Sequence, residues 1–282
     1  MTTYHTSLGT SDHASIRLLG RDLTEELMGS VSFGDLAFWL VTLRRPTPGQ
    51  GRLFNAVLVA LADHGFTPTV LAARLTLHSA PESVQGAMAA GILGGGSRFL
   101  GVTEDVAAFL ADGLAAPGGS RPVDTGSGPT CPDTDLDVLA TRLVRERRER
   151  RLPVPGLGHP VHKDGDPRTP VLYRIAEEES VLGPHLRLLA AVQRVHPAIL
   201  GRTLPVNGAG VCGAALADLG IPANLVRGVA LVARSAGLLG HIAEEMRDPI
   251  GRRLYDAVDR NAEYVAPESH DDHHRPGDRH FR

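Results

Sequence analysis

The feature that most constrains this chain is an apolar run over residues 225–242, interrupted by Arg227, Arg234 and His241 at seven-residue spacing. The run is as long as a membrane span, but arginines near the middle of a bilayer are costly, so it reads as a buried helix of a soluble protein. Seven residues are close to two helical turns, which puts the three polar side chains on one stripe. Arg234 is enclosed by small and apolar neighbours, and a buried guanidinium requires a carboxylate from the protein or from a substrate. A salt-bridged helix lying partly at the surface fits the same pattern, and the residues alone leave both readings open.

The rest of the composition agrees with helix. Hydrophobic residues make up 42% of 282 and aromatics only 4%, with alanine, leucine and valine carrying most of the apolar mass, a profile of close-packed helices rather than a β-sandwich. The length suggests roughly two domains. With 29 basic against 32 acidic side chains the net charge is −3, which offers no global excess of positive charge for nucleic acid. Lys163 is the sole lysine, and the cysteines, Cys131 and Cys212, have no paired spacing, which points to a reducing, cytoplasmic setting. The first residues carry neither a basic segment nor an apolar one of the targeting type.

Along the chain, apolar stretches at 54–62 and 70–77 predict core helices separated by a break at His64-Gly65 and Pro68. Ser79-Ala80-Pro81-Glu82 has the spacing of a capping box and predicts a third helix reaching about Ala90. Residues 112–135 read as a long exposed loop, and 133–151, acidic first and arginine-rich last, as a surface helix. Prolines and glycines make 152–166 a loop, after which helices are expected at 171–182, 185–194, 211–219 and 225–246. From Pro267 the tail is polar, His-rich and expected to be disordered.

Several clusters carry chemistry or mimic it. His159 sits in the Pro/Gly loop with His162, Lys163 and Arg168 close behind, so that loop presents an imidazole, an ammonium and a guanidinium to an anion; an ordinary polar loop is the competing reading. His64, at the break of an apolar helix, is either a site residue or a histidine simply hydrogen-bonded in place. The glycines between Gly91 and Gly96 lack the Lys-Ser/Thr of a phosphate loop and read as backbone packing at a helix end. The basic run 145–151 is interleaved with Glu146 and Glu149 and lacks stacking aromatics, which reads as a solvated face. The tail histidines have no ordered frame, and no metal is expected.

Five collinear segments resemble the citrate synthase superfamily, and within it the citryl-CoA lyase branch. They are Ala62-Asp63-His64-Gly65; the stretch from Gly91 to Gly101; Gly156-Leu157-Gly158-His159 leading to Asp166-Pro167-Arg168; Pro205-Val206-Asn207-Gly208; and Ala233-Arg234-Ser235-Ala236-Gly237 leading to His241. The resemblance implies an all-α fold with a large and a small domain around a cleft, divided as 1–100 and 223–282 (large) and 101–222 (small, inserted). It implies a homodimer or higher homo-oligomer. It also implies a lyase that splits a 3-hydroxy-3-carboxyacyl-CoA such as citryl-CoA into a 2-oxo acid (oxaloacetate) and an acyl-CoA (acetyl-CoA). The partners are then a CoA thioester and a carboxylic acid, not a membrane or a nucleic acid, and no cofactor is needed because the thioester is the electron sink.

By the same resemblance, His64 and His159 contact the oxaloacetate-derived half, Arg168 and Arg234 bind its carboxylates, and Arg253 completes the partner subunit's site. Gly156, Leu157, Gly158 and Lys163 lie near CoA. Two positions depart from the synthase pattern. Leu93-Gly94-Gly95 lacks the histidine of a Leu-His-Gly-Gly segment, which favours cleavage. Asn207 stands where both branches carry an aspartate; an amide has no proton to exchange near neutral pH, and its expected role is an oxyanion-type donor to the enolate. The departures leave open a Claisen-type enzyme acting on another CoA thioester, or a non-catalytic CoA-binding homologue.

Overall fold

The computed structural model describes residues 2–115, 133–159 and 162–266. Most of the loop expected at 112–135, Cys131 and the tail from Pro267 lie outside them. The chain opens with a small antiparallel sheet, β1 (Gly9–Ser11), β2 (Ile16–Leu18) and β3 (Arg21–Asp22), in which Thr10 faces Arg17 and Leu18 faces Arg21. Strands of two or three residues are too short for an alternating pattern to stand out, which is why no sheet was expected.

Helices follow: α1 (Phe33–Thr42), α2 (Pro48–Ala62), α3 (Pro68–Ser79), α4 (Val84–Leu93), α5 (Gly101–Ala115), α6 (Asp133–Glu149), α7 (Arg168–Glu178), α8 (Pro184–Leu200), α9 (Gly208–Asp218), α10 (Ala223–Arg247) and α11 (Gly251–Asp259). The local reasons are visible at the starts. Thr47 caps α2 in a full capping box with Gln50, and Pro48 occupies the first turn, where a missing N–H costs nothing. The break after α2 comes at Asp63, whose extended backbone leads into Gly65 at φ +69°.

Three expectations need correction. Ser79 ends α3 instead of opening α4, because Ala80 N–H still bonds back to the Thr76 carbonyl at 2.8 Å; the cap is Ser83, whose Oγ accepts from Gly86 N–H at 3.2 Å. The helix foreseen at 171–182 starts at Arg168, where Asp166 accepts the Arg168 N–H at 3.1 Å, and it stops before Ser180 at φ +55°. The helix α6 is not wholly a surface element: Leu136, Leu139, Ala140, Leu143 and Val144 are buried, and it packs on α8. Its basic end is held by neighbours, with Arg147 over the Phe109 ring and Arg148 donating to the Ile199 carbonyl.

A large core joins α1, α2, the helices α5 to α9 and the first half of α10; a smaller one, with Val70, Ala73, Leu77, Ala87, Leu238 and Ile242, lies between α3, α4 and the second half of α10. The large core draws residues from both sides of positions 100 and 222, so burial by itself does not mark those boundaries. The long helix α10 belongs to both cores and packs on α2, α3, α4 and α5. Among the described residues it is the helix long and apolar enough to cross a membrane, yet it buries Arg234 and Glu245 inside the fold. The glycine run near α4 serves backbone packing, since a Cβ at Gly91 would meet Leu238 at 2.7 Å and the Thr69 carbonyl at 3.1 Å.

Candidate active site

The site is built on the C-terminus of α2. The last carbonyls of a helix have no partner within it and carry its negative end. Two arginines from distant parts of the chain supply that partner. Arg168, at the first turn of α7, donates from Nη1 to the Ala60 carbonyl at 3.1 Å, and Arg234, in the middle of α10, donates from Nε to the Leu61 carbonyl at 3.1 Å. Both guanidiniums are thereby fixed beside the turn that carries His64.

They differ in how their charge is met. Arg168 grips Asp166 with two bonds, Nε to Oδ1 at 2.9 Å and Nη2 to Oδ2 at 2.7 Å. Asp166 also accepts the Gly208 N–H at 2.7 Å. Burial alone would raise the Asp166 carboxyl, but Arg168 and the backbone donors hold it far below the usual range. Arg234 has no carboxylate within ion-pair reach among the described residues although it is only 5% exposed, and burial pushes its guanidinium below the ordinary arginine value. Of the two sources of countercharge its sequence environment demanded, a substrate acid is the one left open. Arg227, on the same stripe, takes the other course and pairs with Glu104 at 2.7 Å.

The imidazoles gather beside this pair. His64 and His159 lie edge to face with centroids 5.5 Å apart, and His159 and His162 are 4.6 Å apart. His159 Nδ1 accepts the His162 backbone N–H at 3.0 Å, which leaves Nε2 to carry the proton of the neutral ring. Partial desolvation by the surrounding protein, reinforced by Arg168 and Arg234, keeps His64 below its ordinary pKa, and partial desolvation with His162 does the same for His159. Neutral imidazoles beside cations are poised to take a proton rather than to supply charge. His64 is therefore not the hydrogen-bonded core histidine that its position also allowed: it is exposed, with its ring against His159.

The loop carrying His159 is pinned to the segment before α9. Leu157 pairs with Val206, Gly158 N–H donates to the Pro205 carbonyl at 2.7 Å, and Asn207 N–H to the Gly156 carbonyl at 2.9 Å. Gly156 and Gly158 have φ of +81° and +84°, and a Cβ on Gly156 would stand 2.9 Å from Val106. Asn207, 9% exposed, is the N-cap of α9: its Oδ1 accepts the Gly210 N–H at 2.8 Å and its Nδ2 donates to the Gly158 carbonyl at 2.7 Å. The amide expected to face an enolate thus already holds the loop and the helix start.

Lys163 is exposed in the same loop. Arg253 is 71% exposed on the first turn of α11, with Asp248 at 4.0 Å, and has no ion pair or hydrogen bond with the other site residues. His159, His162 and Asp166 bring ligand-type atoms within 4.8 Å of one another, but the Asp166 oxygens are committed to Arg168 and Gly208. Sequence reasoning assigned no role to Asp166, Asp63 or the α2 carbonyls; the Asp-Pro-Arg spacing at a helix start was the available signal for the first.

The helical frame thus presents two guanidiniums and two imidazoles at one helix end. The chain belongs to the citrate synthase family: the family description "Citrate synthase, C-terminal domain" matches residues 8–255. "Citrate synthase 2" of Bacillus subtilis (strain 168) is 24% identical over 218 residues, 76% of this chain and 52% of the relative. The chain thus spans about half the length of that curated relative. Among solved structures, the citryl-CoA lyase from Hydrogenobacter thermophilus superposes with a TM-score of 0.79 at 28% identity, covering 94% of this chain and 96% of that one. The ATP citrate lyase from Methanothrix soehngenii, in complex with citrate and coenzyme A, gives 0.74 at 21% identity over 95% of this chain and 42% of that one, a likeness of fold. The fold is the expected all-α one, and it matches a citryl-CoA lyase over nearly all of both chains.

Proposed function

We propose that this protein is a carbon–carbon lyase of the citryl-CoA type, cleaving a 3-hydroxy-3-carboxyacyl-CoA to oxaloacetate or a related 2-oxo acid and acetyl-CoA or a related acyl-CoA. The observation that carries the reading is Arg234, a buried guanidinium with no carboxylate in ion-pair reach among the described residues, next to two imidazoles held neutral, in a chain matching a citryl-CoA lyase over nearly its full length. Arg234 takes one substrate carboxylate, and the free N–H groups of Arg168 take another. His64 or His159 removes the tertiary hydroxyl proton. The O–H electron pair becomes the ketone, the carbon–carbon bond breaks, and its electrons form the thioester enolate, which a solvent proton converts to the acyl-CoA. The thioester is the electron sink, so the chemistry calls for no metal or redox cofactor. Gly156, Leu157, Gly158 and Lys163 border the CoA, and Asn207 acts mainly by fixing the His159 loop, with one amide hydrogen left for the enolate oxygen.

The same reading includes a homodimer, with Arg253 reaching the partner's site. The outward face of α10 carries Leu225, Val232, Leu239 and Met246, each 43–56% exposed and repeating every seven residues, an apolar stripe suited to a second copy. A cytoplasmic setting agrees with the free, buried Cys212. The test is release of oxaloacetate and acetyl-CoA from citryl-CoA by the native chain, run beside Asn207→Asp. Activity of the native chain is the expected result. Activity confined to the variant would overturn the reading, and activity of neither would move it to another CoA thioester or to a non-catalytic binder.

A further inference from the structure

We propose that Arg74 is a positioning residue for His64, acting through His241 and Asp63, and that through Glu245 the same guanidinium sets the first turn of α11. The proposal rests on the reading of His64 as a substrate-facing base.

Arg74 lies on α3, far from the substrate cations in sequence, and is 1% exposed. Its Nη1 donates to Glu245 Oε2 at 3.0 Å, its Nη2 pairs with the Glu244 carboxylate, and Nη2 also donates to His241 Nδ1 at 3.1 Å. Arginine only donates, so His241 Nδ1 is the acceptor and the ring proton sits on Nε2, facing Asp63 Oδ1 at 3.0 Å. Asp63 in turn accepts the Gly65 N–H at 2.9 Å. On the other side of His64, the Phe66 ring lies over the Arg74 guanidinium at 5.2 Å and 5.9 Å from the His241 ring. The aromatic two residues after His64 is therefore seated on the buried cation directly, and the residue before His64 is tied to it through the His241 ring.

The second arm runs the other way. Glu245 Oε1 accepts the N–H groups of Gly251 at 2.7 Å and Ile250 at 3.0 Å, which fixes the start of α11 and with it Arg253. Stability alone does not explain the assembly. Among the described residues Arg74 Nε is buried without a hydrogen-bond partner, and an apolar residue of similar volume generally serves a core position at least as well as a buried ion pair. What an apolar residue cannot do is hand a directed hydrogen bond to His241 and hold two chain segments in register.

Amide exchange of the full-length chain, read by mass spectrometry with no ligand present, tests this. His241→Phe keeps the ring contact with Phe66 and removes both hydrogen bonds; His241→Gln keeps an acceptor for Arg74 and a donor for Asp63. Exchange at residues 63–66 is expected to rise about ten-fold in the Phe variant and to stay near the native rate in the Gln variant, with 250–254 unchanged in both. Arg74→Met is expected to loosen both segments; if it does not fold, the His241 pair alone decides. A Gln variant as loose as the Phe variant, or a rise spread evenly over the chain, would overturn the proposal. Because no substrate enters the measurement, a chain inactive on citryl-CoA would move the proposed function to another thioester or a binder and leave this result standing.

Discussion

Asn207 Nδ2 donates to the carbonyl of Gly158 at 2.7 Å, one residue before His159, while Oδ1 of the same amide caps α9 at 2.8 Å. An aspartate can do only half of this. It caps a helix as well as asparagine does, but an ionised carboxylate has no hydrogen to donate and would set an oxygen against the Gly158 carbonyl. Asn207→Asp is therefore expected to lose about 1–3 kcal/mol of stability at neutral pH, the cost of a broken buried hydrogen bond. Asn207→Ser, which keeps the cap and lacks the repulsion, should lose less. Urea denaturation of the three proteins checks the order, and an aspartate variant as stable as the native chain would remove the loop-holding role.

The two neutral imidazoles make stability depend on pH in a definite direction. Partial desolvation and the neighbouring charges hold His64 and His159 below the ordinary value of 6.5 in the folded state. The unfolded chain then binds more protons than the folded one as pH falls through that value, so folding weakens on acidification and strengthens as pH rises. The window opens near 6.5 and closes below the folded values. Thermal midpoints measured from pH 5 to 8 should fall toward the acid side, and the double variant His64→Gln, His159→Gln should show a flatter profile. An identical slope in native and variant protein would show that these rings do not carry the effect.

Much of this was legible in the sequence because it is local. Apolar runs interrupted by Gly65 and Pro68 marked α2 and α3, a Pro/Gly loop marked the His159 segment, and the enclosure of Arg234 by apolar neighbours predicted a guanidinium in want of an acid. What escaped depends on distance along the chain. Nothing near Arg168 announces that it will hold the carbonyl of Ala60, and nothing near Arg74 announces Glu245, because these partners are more than a hundred residues away. The role of Asn207 was legible in position and not in geometry: the motif fixed the residue, while the bond to Gly158 appears only once the two loops lie side by side.

Two glycines separate the stability of the core from the shape of the site. A Cβ on Gly213 of α9 would come within 2.3 Å of the Thr103 carbonyl on α5, and one on Gly237 of α10 within 2.1 Å of the Ala62 carbonyl at the end of α2. Neither backbone can yield without moving a helix, so each alanine variant is expected to cost about 1–3 kcal/mol. Only Gly237→Ala displaces the turn on which His64, Arg168 and Arg234 converge. It should therefore weaken oxaloacetate binding at least ten-fold by calorimetry, while folded Gly213→Ala retains it. Equal affinity in the two variants would show that the α2 terminus is not the frame of the site.

Arg234 should matter far more for binding than for stability. Its side chain is buried, its Nε is satisfied by the Leu61 carbonyl, and among the described residues no carboxylate lies within ion-pair reach, so the more distant Asp63 only partly offsets the cost of removing its charge from water. Filling the same space with an apolar side chain relieves that cost but strands the Leu61 carbonyl, so Arg234→Met is expected to leave the stability of the ligand-free protein within about 1 kcal/mol of native, read from the thermal midpoint. On the proposed reading the same change removes the charge that meets the substrate acid, and the loss of a buried, hydrogen-bonded charge partner typically costs about 2–5 kcal/mol of binding. Oxaloacetate affinity should then fall by more than an order of magnitude. Arg168→Met is expected to behave differently, because it strands the buried Asp166 carboxylate and must destabilise the fold as well as the complex. A stabilised Arg168 variant, or an Arg234 variant that lost stability and kept its affinity, would reverse the assignment of which arginine waits for substrate and which is already held by the protein.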